Sequence, residues 1–440
     1  MTRLLPGLLL LGSALVVGQQ QILLHRPPRL VDQITQPIHS GSAALDLRFS
    51  RAMQRDSVAT TSGLSPELPH RWLGDNNPLR LVLDAEQPIE TPLQLRVAGK
   101  DQRGQSLQPL QSWWDPRPWL VVTRMLDNGE QLQLLDRQGN WQPLSQKKHR
   151  IQSVVPLGNG RGIAMVDSDD DGGEQIWLQR LTPRSVARQK NALQQPSAGP
   201  WKRLIKGSVL FAHLSSNLSG DLLVQTGGFT PGSERIQLIR ADGSKRDLEV
   251  LASGPMQLLP AGGGLVVPSY NGLSLQPLVD NGRTPQMLPG SRELGAFCAA
   301  SGRALLVRHW PDYRRSIELV IPGLAPKQLH LGEQAVLAVA CNGGGTRIWA
   351  VLGRWRGERG EHEIVLMDGD GKVIRRRSLS PWTLLSGASL QFDPVGKQLL
   401  MTVTRSELNN GKPALMDADS LEWREVMPID IKDAQWLSAG

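Results

Sequence analysis

Short runs in which apolar and polar residues alternate dominate this chain. "ALDLRFS" places Leu45, Leu47 and Phe49 on one side of an extended backbone, "PLRLVLD" does the same with Leu79, Leu81 and Leu83, and "LQLRVAG" with Leu93, Leu95 and Val97. Alternation with a period of two, in short runs bounded by turn formers, marks strands with one buried face. Antiparallel sheets built from such strands pack face to face, so residues 32–112 are expected to form a small β-sandwich.

Within that segment, "LRFSRAMQRDSV" runs from a strand ending in Phe-Ser through a Met-containing half-turn to Ser-Val, and "VAGKDQRGQSL" reads as a closing strand and turn. These stretches resemble the bacterial Ig-like domains of the S-layer (SbsA) type. The resemblance implies a spacer module and carries over no catalytic residue.

Downstream the pattern changes from isolated strands to a repeated phrase: an apolar strand, a glycine-bearing turn, and a second apolar strand. "FDPVGKQLLMTV" is the clearest copy; "SSNLSGDLLVQT", "PAGGGLVVPS", "CAASGRALLVR", "CNGGGTRIWAV" and "LGNGRGIAMV" are looser ones. The turn glycines fall near Gly162, Gly220, Gly264, Gly302, Gly345 and Gly396, on average about 47 residues apart, which suits a four-stranded propeller blade. Third strands follow at "EQIWLQRL", "RIQLIRA", "SIELVIP", "HEIVLMD" and "PALMDAD". The turns after them carry Asp242-Gly243, Asn281-Gly282 and Asp370-Gly371, pairs that tolerate the positive φ of tight hairpins.

Six complete units can be drawn, and two halves remain. "PWLVVTR" with "EQLQLLDRQGNW" supplies three strands near residue 118, and "IKDAQWLSAG" supplies a single strand at the C-terminus. Joined in space they make a seventh blade, close the ring and remove two exposed sheet edges. The expected fold is all-β: an Ig-like sandwich followed by a seven-bladed β-propeller over 113–440, closed by the C-terminal strand. Six or eight blades are the alternatives, and a miscount would arise at the poorly patterned "TPRSVARQKNALQQPSAGPWKRL". "FDPVG" and the repeated phrase resemble the TolB-like family of bacterial propellers.

Composition narrows the setting. The chain has 440 residues, 40% hydrophobic and 20% charged, ordinary values for a globular protein, with 45 Gly and 31 Pro suggesting many turns and few long helices. "MTRLLPGLLLLGSALVVGQQQ" has an early Arg and an apolar run from Leu4 to Val17, short for a membrane span and suited to a secretory signal over 1–18, with 19–31 as linker. An uncleaved anchor extended through "QQQILL" is the alternative. Export makes DNA or RNA a poor match for the net charge of +8, and leaves acidic partners: an envelope protein or an anionic polysaccharide. The chain is expected to act as a monomer.

In a meandering blade, connections between second and third strands share one face with the connections between blades. The loops on that face are long here, so it is the expected place for binding. "RHWPDYRRS" offers His309, Trp310, Tyr313, Arg314 and Arg315; "GRWRGERGEH" offers Arg354, Trp355, Arg356, Arg359 and His362. Aromatic faces beside guanidinium groups suit sugar rings, carboxylates, phosphates or a protein surface, the plain alternative being rim-covering tryptophans and solvated arginines. "DSDDDGG" aligns Asp167, Asp169 and Asp171 as in the opening of a Ca2+ loop, though Leu178 stands where the closing Glu belongs, and an acidic hairpin tip explains it equally. Cys298 and Cys341 fall at first-strand ends of neighbouring units, placed for a disulfide or for two buried thiols. No other cofactor and no catalytic motif is recognised. A non-enzymatic binding or scaffold protein is the leading expectation. An envelope hydrolase or lyase with paired carboxylates or His at the ring centre, and a structural envelope component, are the alternatives.

Overall fold

The computed structural model describes residues 26–37, 41–169, 171–230, 232–278, 284–356, 359–405 and 410–439. The signal segment 1–18, the first part of the linker and the Asn281-Gly282 turn lie outside the described residues.

Two four-stranded antiparallel sheets form the N-terminal sandwich. One contains Leu30–Gln36, Ala43–Phe49, Leu79–Leu83 and His70–Leu73; the other contains Gly63–Ser65, Leu93–Lys100 and Ser106–Trp114. The alternating residues read from the sequence are its core: Leu45, Leu47, Phe49, Leu79, Leu81, Leu83, Leu93, Leu95 and Val97 pack together with Met53, Val58 and Trp114. A short helix, Arg55–Thr61, contributes Val58. The sandwich reaches beyond 32–112 at both ends. Its fourth edge strand, Val186–Ala187, comes from far along the chain, out of the poorly patterned stretch that separates two strands of a later sheet.

Seven further sheets follow among the described residues, each an antiparallel meander. The first runs Trp119–Leu126, Gly129–Leu135 and Trp141–Pro143, and its remaining strand is Ile431–Leu437 from the C-terminus. In that pairing Gln435 lies opposite Val121 and Trp436 opposite Leu120. The other six occupy 150–203, 211–247, 257–289, 292–332, 335–378 and 383–426.

The inner strands are hydrophobic on both faces because each sheet is sandwiched between neighbours, whereas outer strands such as Lys245–Asp247 and Val373–Ser378 are exposed. Leu120, Val122, Ile431 and Ala434 meet Leu400 and Met427 where the seventh sheet adjoins the first. Trp119, Val121 and Leu132 meet Ile151, Ile163 and Met165 at the next junction. Ile317 and Leu319 of the fifth sheet pack on Ile348 and Ala350 of the sixth. The opposite side of the fifth sheet carries a buried ion pair instead, Arg292 Nε to Glu318 at 2.7 Å.

Turn chemistry explains the repeated phrase. Asn342 Oδ1 accepts from the Thr346 and Arg347 amides at 2.9 and 3.1 Å, and Asn217 and Asp393 bridge their own turns in the same way. Such side chains replace the backbone partner that a tight turn lacks. Gly345 has φ 63, and a Cβ there would press on Arg303 and Cys298, so the position requires glycine. No helix among the described residues is long and apolar enough to cross a membrane.

Candidate functional site

The sandwich sits on the face formed by the turns between first and second, and third and fourth, strands. Two contacts fix this. The Ile89 amide donates to the Val395 carbonyl at 2.9 Å, and the Val395 side chain is buried in the sandwich core although it belongs to the first turn of the seventh sheet. The 183–196 connection, between the third and fourth strands of the second sheet, supplies Val186–Ala187 to the sandwich from the same side.

Asp393 builds the turn that presents Val395. Its carboxylate accepts from the Val395 amide at 2.9 Å, the Gly396 amide at 3.0 Å and Gln398 Nε2 at 3.1 Å. Burial pushes this carboxyl's pKa up against those hydrogen bonds. Beside it, Asp115 accepts from Arg117 at 2.8 Å and from Arg137 at 2.9 Å, and Arg137 lies 3.9 Å over the Trp119 ring. Burial works to raise the Asp115 pKa, but the two guanidinium groups outweigh it and hold the carboxyl below its usual range. Arg137 is lowered to about 10, mainly by burial, with Asp115 opposing. The group locks the segment joining the two domains.

Between the sandwich and this turn face lies a cavity of about 930 Å³, near the upper end of the range for small-molecule pockets. Ser42, Asp84 and Glu86 line it from the sandwich; the inner turns of the fifth, sixth and seventh sheets line the other side. Phe297, Trp349, Phe392 and Trp436 supply aromatic surface. Trp349 and Phe392 stack at 4.6 Å, and Trp349 Nε1 donates to the Ala418 carbonyl at 2.7 Å, so this floor is fixed. The Trp436 indole N–H is buried with no hydrogen-bond partner among the described residues.

Two cations border the floor. Arg347 is two positions before Trp349 on one strand and so shares its face of the sheet. Lys397 follows the Asp393 turn. Neither side chain has an ion-pair partner among the described residues. Asp84 is paired with Arg71, whereas Glu86 and Asp419 carry exposed acids at the rim. A disulfide joins Cys298 to Cys341, 43 positions apart with Cα atoms at 5.5 Å, and ties the fifth and sixth sheets together at the cavity edge.

The residues expected to bind lie on the opposite face, on consecutive sheets as the repeat implies, and six of the ten are engaged locally. Trp310 is covered by Arg308 at 3.7 Å and donates its Nε1–H to Ser316 Oγ at 2.9 Å. His309 meets Glu293 at 2.8 Å and Arg314 meets Asp312 at 2.7 Å, while Arg315 donates to the carbonyls of Tyr313 and Arg314. Arg354 pairs with Glu361 at 3.0 Å, and His362 Nδ1 accepts from the Leu384 amide at 2.9 Å. Tyr313 and Trp355 stand exposed. Arg356 and Arg359 face each other in register at the end of their hairpin, their side chains being outside the described residues. None of these ten residues lines the cavity.

In the acidic hairpin, Asp167 pairs with Lys148 at 2.8 Å and accepts from Trp177 Nε1 at 2.7 Å. Asp169 accepts from the Gly173 amide at 2.7 Å, and Asp171 is exposed. The cavity residues went unread because they follow turn glycines, where a charge looks solvated. The recoverable signal was a cation just after the turn in two successive copies, "GGGTR" and "DPVGK".

No family model and no curated protein matches the chain. Among solved structures it is similar to an uncharacterized protein of Listeria monocytogenes EGD-e, at 10% identity over 72% of this chain and 94% of that one, with a TM-score of 0.50. It is also similar to TolB from Acinetobacter baumannii, at 13% identity over 80% of this chain and 81% of that one, with a TM-score of 0.41. A prolyl endopeptidase structure aligns at 11% identity over 86% of this chain and 51% of that one, with a TM-score of 0.49. At these identities the likeness is one of fold.

Proposed function

We propose that this chain is an exported, non-enzymatic binding or scaffold protein of the bacterial cell envelope, and that the cavity beneath the sandwich takes a carboxylate-bearing segment of a protein partner. The observation that carries the reading is the pairing of two cations without an ion-pair partner among the described residues, Arg347 and Lys397, with a fixed aromatic floor of Trp349 and Phe392. A carboxylate meeting the cations gains charge-assisted hydrogen bonds, while flanking apolar groups cover the aromatic surface. Glu86 and Asp419 on the rim suit the mixed charge of a polypeptide better than a uniformly anionic glycan. Export rests on the apolar run from Leu4 to Val17.

The cavity's acids support binding in preference to hydrolysis. Asp84 is salt-bridged and Asp393 is consumed by its own turn. A fluorescence-polarisation titration with short acidic peptides carrying a free C-terminal carboxylate tests the reading. Charge reversal by Arg347→Glu and Lys397→Glu weakens binding by about tenfold each, the worth of one charge-assisted hydrogen bond. Unchanged affinity in both variants, or turnover of peptides, esters or sugars abolished by Glu86→Gln, would replace it with the enzyme reading.

A further inference from the structure

Phe229, Tyr270, Tyr313 and Trp355 recur at intervals of 41, 43 and 42 positions. Phe229, Tyr270 and Tyr313 stand in the connection between the second and third strands of their sheets and Trp355 at the end of a second strand that leads into it; the four sheets are consecutive, the third to the sixth. They therefore form an arc on the face away from the sandwich. Their exposures are 67%, 100%, 86% and 71%. The chain has only two tyrosines, and both are here.

Among the described residues nothing accounts for these side chains. They bury little surface, and Tyr313 sits at φ 66, a backbone conformation that glycine holds freely and tyrosine does not. The equivalent connections of the first and second sheets carry Asp127-Asn128 and the acidic 169–173 hairpin, so the arc has a defined end.

We propose that this arc is a docking surface for an anionic lipid bilayer, independent of the cavity. A protein interface would need a contiguous apolar core with pockets around its anchors. Here single aromatic tips are separated by the width of a sheet and flanked by polar residues. A bilayer interface accepts such isolated Trp, Tyr and Phe side chains without shape complementarity. Cations accompany them: Arg315 and the Asp312-paired Arg314 beside Tyr313, the Glu361-paired Arg354 beside Trp355, and Lys202 and Arg203 at the end of a strand whose connection carries Lys206 to exposed Leu210. With a net charge of +8 the chain is attracted to anionic headgroups. The strand pair that carries Trp355 continues to Arg356 opposite Arg359, and that of the fifth sheet ends at His309 opposite Arg315, below Tyr313.

The test is co-sedimentation of the full chain with phosphatidylglycerol-containing vesicles, together with quenching of tryptophan fluorescence by brominated lipid. Replacing the four tips by serine lowers vesicle affinity at least tenfold, and Trp355→Leu alone removes the quenched component. Circular dichroism verifies that the variants remain folded. Equal sedimentation of parent and variant, with quenching unaffected by Trp355→Leu, would overturn the proposal. So would loss of binding to an identified protein partner in the serine variant when neither form binds vesicles, which would assign the arc to that partner.

Discussion

The Ile89 amide donates to the Val395 carbonyl at 2.9 Å, joining the sandwich to the seventh sheet through their backbones. The Val395 side chain completes the sandwich core, so one residue of a propeller turn belongs to two domains. A cavity between bodies held this way has a fixed shape, and its walls need little reordering to accept a ligand.

Asp115→Ala should loosen this junction. The substitution leaves the Arg117 and Arg137 guanidinium groups without their shared anion, a loss of about 3 kcal/mol for a buried pair. Urea unfolding measures it, and limited proteolysis should detect new cleavage between the domains. Because the Asp115 pKa is held below its usual range, the parent keeps this stabilisation above the unfolded carboxyl value. It loses it as pH falls through the lower folded value.

His330 should impose a second pH dependence. Burial lowers its pKa, Arg376 adds to the shift, and Glu363 opposes it. Below the unfolded value of about 6.5 the unfolded chain takes up a proton that the folded chain refuses, so stability falls with pH until the folded value is passed. Denaturation of the parent and His330→Gln at pH 7.5 and about pH 5.5 checks this: the parent should lose more stability over the interval.

The disulfide should matter for stability more than for shape. Joining Cys298 to Cys341 restricts the unfolded chain across 43 positions. The Cys298→Ala, Cys341→Ala double variant should unfold about 3 kcal/mol more easily. The parent under strong reductant should match it, and a melting curve unchanged by either treatment would refute this contribution.

Much of the fold was legible in the sequence because burial imposes it residue by residue. Leu45, Leu47 and Phe49 alternate since one face meets the sandwich core, and "FDPVG" is visible since Asp393 must satisfy its own turn. The place of the sandwich was not legible. It is decided by Val395 and by Val186–Ala187, the latter buried in a stretch with no periodicity. Without that, the loop-rich face looked like the binding face, and Arg347 and Lys397 looked like ordinary turn charges. Trp310 and Trp355 were grouped by sequence alone, whereas one is packed beneath Arg308 and the other stands in solvent.

Hydrogen exchange at Ile431–Leu437 tests the closure of the ring most directly. These residues pair with Trp119–Arg124, and their cross-strand bonded amides should show protection equal to those of Trp119–Leu126, near the global stability. Exchange at the rate of an unpaired tail, with Trp119–Leu126 still protected, would contradict it.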